Sequence, residues 1–372
     1  MIVVNMACGS TNRMCLSSRI EAWDFLKTVA IMLVVYGHLM QYLWSDDVEI
    51  YNPLRNFIYS FHMPLFMTLA GLFAMRGFDS SSFIEYCRKR ALRILVPCIV
   101  WLFIIAGCIM MISGNIDIFV FISVLMNGLW FLKSLFICGL LGYMTMKMSG
   151  KRWVWVTLTI IVSQFLQKWS VPNMYPCFLL GIMIFRKQDW FKNNWKLVTA
   201  TSTIIFLAVL IPLLFDSTFW ETCSSSISKA ATFQDVIIIL LCRDLTMFIG
   251  MLASISLIVG FYVLFETAAK LPNYIQKMVN AGRYTLGVYV IQTVVVEILM
   301  AQYLQLPWMG VRIFWLVNLM IFPIVGVILT WLFAWMTAYV CSNLPIAAMI
   351  LFGEKVRHKV KPMPVENNTQ SK

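Results

Sequence analysis

The chain has 372 residues, of which 60% are hydrophobic and only 12% charged, with a mean hydropathy of +0.81. That balance excludes an ordinary soluble domain and the division of such a length into globular units. The net charge of +12 is dispersed over the ends of apolar runs rather than gathered in a patch, which excludes nucleic acid and leaves the lipid bilayer as the partner.

The first apolar stretch, at 19–42, reads RIEAWDFLKTVAIMLVVYGHLMQY. It is long enough to cross a hydrocarbon layer of ~30 Å at 1.5 Å per residue. Its polar exceptions are regularly spaced. Asp24 and Lys27 are three apart, and His38 follows Lys27 by eleven. Eleven steps of ~100° nearly complete whole turns, so Lys27 and His38 share a face, roughly 16 Å apart along the axis. Such a stripe must face protein or water, because lipid satisfies no polar group. Helix packing accounts for Asp24 and Lys27 as interface anchors. An intramembrane histidine points to function.

Ser60–Met75 reads SFHMPLFMTLAGLFAM. Pro64 is expected to kink this helix near His62, and Gly71 to let another helix approach closely. The next notable stretch, YCRKRALRILVP at 86–97, places Arg90 and Arg93 three apart as a potential phosphate clamp, with Arg88 and Lys89 beside them. Loop charge alone accounts for Arg88 and Lys89.

Altogether ten spans are expected in an all-α polytopic membrane helix bundle. They lie at 23–43, 56–75, 94–112, 129–146, 153–168, 174–186, 197–215, 242–265, 284–303 and 312–335, the fifth and sixth being short. Residues 235–241 either extend the eighth span or fold separately. The spans form one domain, 23–335, between a cytoplasmic tail at 1–22 and, at 336–372, an amphipathic segment with a basic cytoplasmic tail. Residues 1–18 are mixed and polar, so no signal peptide is expected. With both termini in the cytoplasm, 22 Lys and Arg residues fall inside and four outside (Arg55, Lys168, Lys229 and Arg312). Acidic residues collect outside, among them Asp46, Asp47 and Glu49.

This topology brings His38, His62, Lys133, Arg243, Asp244 and Glu297 to the outer half of the membrane, where together they suggest a wet cavity. For Lys133, snorkelling to the interface is an equal explanation. Ten cysteines without a CxxC pair and three histidines without ligand spacing argue against a disulfide framework and a metal site.

The first-helix pattern of acid, base and histidine, together with FHMPLF, closely resembles the acyltransferase 3 family of membrane O-acyltransferases, in its fucose 4-O-acetylase-like branch. Further similar segments are GLWFL at 128–132 with Trp130, YPCFLLG at 175–181, 243–250, and GRYTLGVYVIQ at 282–292. Two positions depart from the pattern: Lys27 stands where many relatives carry Arg, and Gln292 where a motif often ends in His, so Gln292 is assigned no catalytic role.

The resemblance implies transfer of an acetyl or other short acyl group from cytoplasmic acetyl-CoA or acyl-CoA to a sugar hydroxyl, on a lipid-linked or polysaccharide acceptor, in the cell membrane. His38 is the expected base, with His62 second, and Asp24 and Lys27 complete the motif. Arg90 and Arg93, flanked by Arg88 and Lys89, are the expected coenzyme A-binding element. Lys133 or Arg243 would steady an oxyanion, and Asp244, Glu297 and Trp130 would shape the acceptor cavity. Direct transfer and an acyl-His intermediate both remain open. The alternative class is a polytopic polyol or glycan transporter, which would be built from inverted repeats; none is visible.

Overall fold

The structure is a computed structural model that describes residues 21–44, 52–80, 82–148, 151–225, 227, 230–268 and 271–354. Residues 1–20 of the expected tail at 1–22, residues 355–372 of the expected segment at 336–372, the acidic residues Asp46, Asp47 and Glu49, and Lys229 lie outside the described residues. The described chain is helical nearly throughout. In order run α1 (Glu21–Tyr42), α2 (Pro53–Ser80), α3 (Phe83–Ser113), α4 (Ile118–Asn127) and α5 (Trp130–Lys147). Next come α6 (Arg152–Gln164), α7 (Val171–Arg186), α8 (Gln188–Asn193), α9 (Trp195–Leu213) and α10 (Ser217–Ser224). The last five are α11 (Phe233–Thr267), α12 (Asn273–Ala281), α13 (Thr285–Tyr303), α14 (Val311–Asn343) and α15 (Pro345–Phe352).

Among the described residues, seven helices, α1, α2, α3, α9, α11, α13 and α14, are long and apolar enough to cross a membrane. The pair α4 and α5, bent by 45° at their junction, makes an eighth if it forms one span. The fifth and sixth expected spans are α6 and α7, with 13 and 16 residues, below the ~20 that a lipid-facing helix needs. α7 does not need that length, because it is buried against α2. A side-chain carbon on Gly71 would collide with the Phe178 carbonyl, and one on Gly181 with the Thr68 carbonyl. Glycine at both positions lets the two backbones touch.

Two helices outrun their expected limits. α11 has 35 residues and takes in 235–241, its start fixed by a capping box in which Asp235 N–H donates to Thr232 Oγ1 at 3.1 Å and Thr232 N–H to the Asp235 carboxylate at 2.9 Å. α14 has 33 residues and runs through 335, so the boundary placed there falls inside a helix. The segment expected to be amphipathic contains α15, whose sequence PIAAMILF has no charged residue. That helix packs on α3, where the Trp101 indole donates to the Leu351 carbonyl at 2.9 Å.

Among the described residues, three helices contain π-helical turns: Ala91–Leu95 in α3, Thr293–Met300 in α13 and Val317–Ile321 in α14. In such a turn the chain bonds i to i+5, so residues five apart come onto one face. α1 is held at both ends by the stretch around α12 and α13. At its start Gly282 lies against the Asp24 backbone, and Thr28 Oγ1 donates to the Met278 carbonyl at 2.6 Å. Beyond its end, Leu306 N–H donates to the Leu43 carbonyl at 2.6 Å beside a parallel bridge from Trp44 to Leu306. The register of α1 against α13 is thereby fixed, and it decides what His38 meets.

Candidate active site

His38 meets the π turn of α13. Its Nδ1 lies 2.8 Å from Gln292 Oε1 and 2.9 Å from Glu297 Oε1. Gln292 Nε2 donates to the same carboxylate oxygen at 2.9 Å and to Thr293 Oγ1 at 3.1 Å, and Thr293 Oγ1 is 3.0 Å from Glu297 Oε1. Both partners of Nδ1 are acceptors. Nδ1 therefore carries the proton, and neutral His38 keeps its lone pair on Nε2. The His38 and Glu297 side chains are 17% and 20% exposed, enough to meet a ligand.

That exposure opens into a cavity of about 790 Å³. His38, His62, Trp130, Arg243 and Glu297 all line it, together with Tyr59, Asn127, Asn173 and Tyr289. His62 is buried, its Nδ1–H donating to the Ile58 carbonyl at 2.8 Å and its ring edge-on to Tyr59 at 4.9 Å. The Pro64 ring beside it abuts Gly250 of α11, which joins α2 to the far wall. Arg243 reaches across to α10, with Nη2 donating to the Ser225 carbonyl at 2.6 Å and Nε to Cys223 at 3.2 Å.

Two expected members are absent from the lining. Lys133 turns back on α4, where Nζ donates to the carbonyls of Leu125 at 2.7 Å and Met126 at 3.3 Å. A cation there caps the negative end of the helix dipole and holds the bend between α4 and α5. Asp244 is exposed and does not line the cavity. At the rim, Leu129, Trp169 and Ser170 adopt left-handed backbone angles of 47°, 62° and 54° although none is glycine. Such strain, about 1–3 kcal/mol per residue, gathers at functional sites.

The other end of α1 is arranged differently. Lys27 pairs with Asp24 at 2.6 Å and lies over the Phe73 ring at 4.6 Å. It sits at a second cavity of about 230 Å³, walled mostly by apolar side chains such as Ile31, Phe66 and Leu135, with Thr285 and Tyr289. The two cavities share Val34, Met63 and Tyr289 as walls. Arg90 and Arg93 differ in exposure and in what holds them. Arg90 is inserted against Gly139 of α5, its Nη2 donating to the Leu135 carbonyl at 3.2 Å, whereas Arg93 is exposed. A π turn, Ala91–Leu95, begins directly after Arg90 and contains Arg93. Arg88 and Lys89 are exposed, and Lys89 pairs with Glu85 at 2.6 Å.

A model of an acyltransferase domain matches residues 20–339, nearly the whole described chain. The chain belongs to the acyltransferase 3 family. Among curated proteins it is similar to the nodulation protein NolL of Mesorhizobium japonicum, 26% identical over 52% of this chain and 57% of that protein. It is also similar to NolL of Sinorhizobium fredii, 36% identical over 23% of this chain and 24% of that protein. The matches thus span about half or less of these relatives' length. No solved structure matches the chain. The family assignment and the apolar helices make it a multi-pass membrane protein.

Within this member of the family, three contributors to the site are not among those expected from the sequence. Gln292 meets Glu297 through the π turn, which no residue pattern announces, whereas Thr293, four residues before Glu297, has the spacing of α-helical neighbours and could have been found by it. Arg55, counted among the outer loop charges, is instead buried, its guanidinium 4.2 Å over the Tyr59 ring.

Proposed function

We propose that this protein is a membrane O-acyltransferase that moves a short acyl group, acetyl foremost, from acyl-CoA to a hydroxyl of a sugar. The acceptor is lipid-linked or part of a polysaccharide and enters from the extracytoplasmic side. The observation that carries this reading is His38, held at Nδ1 by Glu297 and Gln292 on the wall of a roomy cavity. In its neutral form, with the proton on Nδ1, the ring keeps a lone pair on Nε2. In that form imidazole accepts the proton of an attacking hydroxyl, and Glu297 steadies the resulting imidazolium. The Arg243 guanidinium, the one cation of the expected set on the cavity wall, is the candidate for stabilising the tetrahedral oxyanion. His62 is the second candidate base.

The apolar slot at the Lys27 end suits a thin donor arm, and its shared walls bring it next to His38. Exposed Arg93, with Arg88, offers phosphate contacts at the basic, cytoplasmic end. The family membership and the similarity to the two nodulation proteins support acyl transfer over transport.

The decisive assay reconstitutes purified protein in liposomes with radiolabelled acetyl-CoA and a panel of sugar acceptors. Label in sugar ester is expected. Uptake of free sugar without ester formation would support the transporter instead. Sidedness has its own test: an impermeant thiol reagent outside intact cells should reach Cys223, on the His38 cavity, and spare Cys87, beside Arg88. The reverse pattern would invert the orientation.

A further inference from the structure

We infer that Gln292 is a positioning residue that joins His38 and Glu297 into one hydrogen-bonded unit; the inference rests on His38 as the base. Gln292 is completely buried and belongs to no apolar cluster. In an α-helix, positions five apart point about 140° away from each other, which would turn Gln292 away from Glu297. The π turn beginning at Thr293 abolishes that divergence and sets both side chains before His38. The amide then has only one workable orientation. Its Oε1 accepts from His38 Nδ1–H at 2.8 Å, while its Nε2 donates to Glu297 at 2.9 Å and Thr293 at 3.1 Å. Turned over, it would set an NH₂ against the Nδ1–H and a carbonyl against the carboxylate.

Each contact has a consequence for the reaction. Accepting from Nδ1–H fixes the ring plane, and this contact persists whether or not Nε2 has taken a proton. Donating to Glu297 fixes the carboxylate rotamer, so the acid meets Nδ1 rather than swinging into the cavity. A base misplaced by about 1 Å loses on the order of 10²-fold in rate. A neutral histidine offers the same combination of one acceptor and one donor, and methionine offers neither at similar length.

The test compares wild type, Gln292→Met, Gln292→His and His38→Ala as purified, monodisperse protein. The readouts are kcat and KM for acetyl-CoA with the best sugar acceptor, and magic-angle-spinning NMR of isotope-labelled histidine rings. Gln292→Met should lose about 10- to 100-fold in kcat with KM for acetyl-CoA unchanged. Its His38 ring, identified by subtraction of the His38→Ala spectrum, should split into more than one population. Gln292→His should recover most of the rate and the single ring state.

A Gln292→Met enzyme within twofold of wild type and with one ring state overturns the inference. So does a Gln292→His enzyme as slow as Gln292→Met, since the loss would then be steric. Full activity in His38→Ala would instead overturn the reading of His38 as base, and the ring spectra would still report whether Gln292 orders it.

Discussion

The two ends of α1 each interrupt an apolar helix with a titratable side chain, and the fold disposes of them in opposite ways. At the start, Lys27 is matched within its own helix by Asp24, one turn away, and the surroundings are an apolar slot. Near the end, His38 has a ring contact with Tyr42 on α1 but makes its hydrogen bonds across the bundle, with Gln292 and Glu297 of α13, at a cavity more than three times larger. A local ion pair survives small shifts between helices. A cross-helix network does not, because its distances depend on how α1 and α13 are registered. The first arrangement suits support and docking, the second suits chemistry, which requires a group to be oriented by its neighbours yet reachable.

The contrast breaks most sharply at His38. His38→Ala should lower acyl transfer by ~10²–10⁴-fold while leaving acyl-CoA affinity unchanged, as measured by turnover and equilibrium binding on the same preparation. A rate near wild type would transfer the role to His62. Glu297→Gln should follow with a smaller loss. It keeps an acceptor near Nδ1 but removes the charge that steadies the imidazolium, a contact worth roughly 1.5–3 kcal/mol or about 10- to 150-fold in kcat.

Much of this contrast is legible in the sequence, and its limits are physical. The bundle announces itself through apolar runs, and the eleven-residue spacing of Lys27 and His38 follows from helical repeat alone. Glu297 is legible as a carboxylate that lipid would not tolerate. Its partner Gln292 is not, because the π turn that joins them depends on packing between helices. The same device follows Arg90 and contains Arg93. A spacing of three implies neighbours only in an unbroken α-helix, and the turn at Ala91–Leu95 breaks that premise. Lys133 illustrates a different limit. Its place near the start of a span is readable, but the attraction of the α4 carbonyls depends on the 45° bend, which the sequence does not announce.

At the basic end, Arg90 is tucked against Gly139 and Arg93 is exposed, which divides one expected role into two. Arg93→Ala should weaken acyl-CoA binding about tenfold, the value of one charge-assisted contact, with unchanged thermal stability. Arg90→Ala vacates the groove at Gly139 and frees the Leu135 carbonyl, so its main effect should be a lowered Tm. Calorimetric binding alongside thermal melts separates the two. Equal losses of affinity without loss of Tm would restore the pair as a joint phosphate clamp.

The smallest effect is expected at the start of α1, and it sharpens the comparison. Lys27→Arg keeps the cation within reach of Asp24 and over the Phe73 ring, and guanidinium stacks on an aromatic face at least as well as ammonium. Activity should stay within about threefold of wild type. Lys27→Met keeps the length and removes the charge from a pair that is 22% and 7% exposed, so it should lower Tm more than kcat per folded molecule. The decisive quantity is the ratio of the two losses. If Lys27→Met folds normally and loses as much kcat as Glu297→Gln, Lys27 takes part in the chemistry, and the distinction between the two ends of α1 fails.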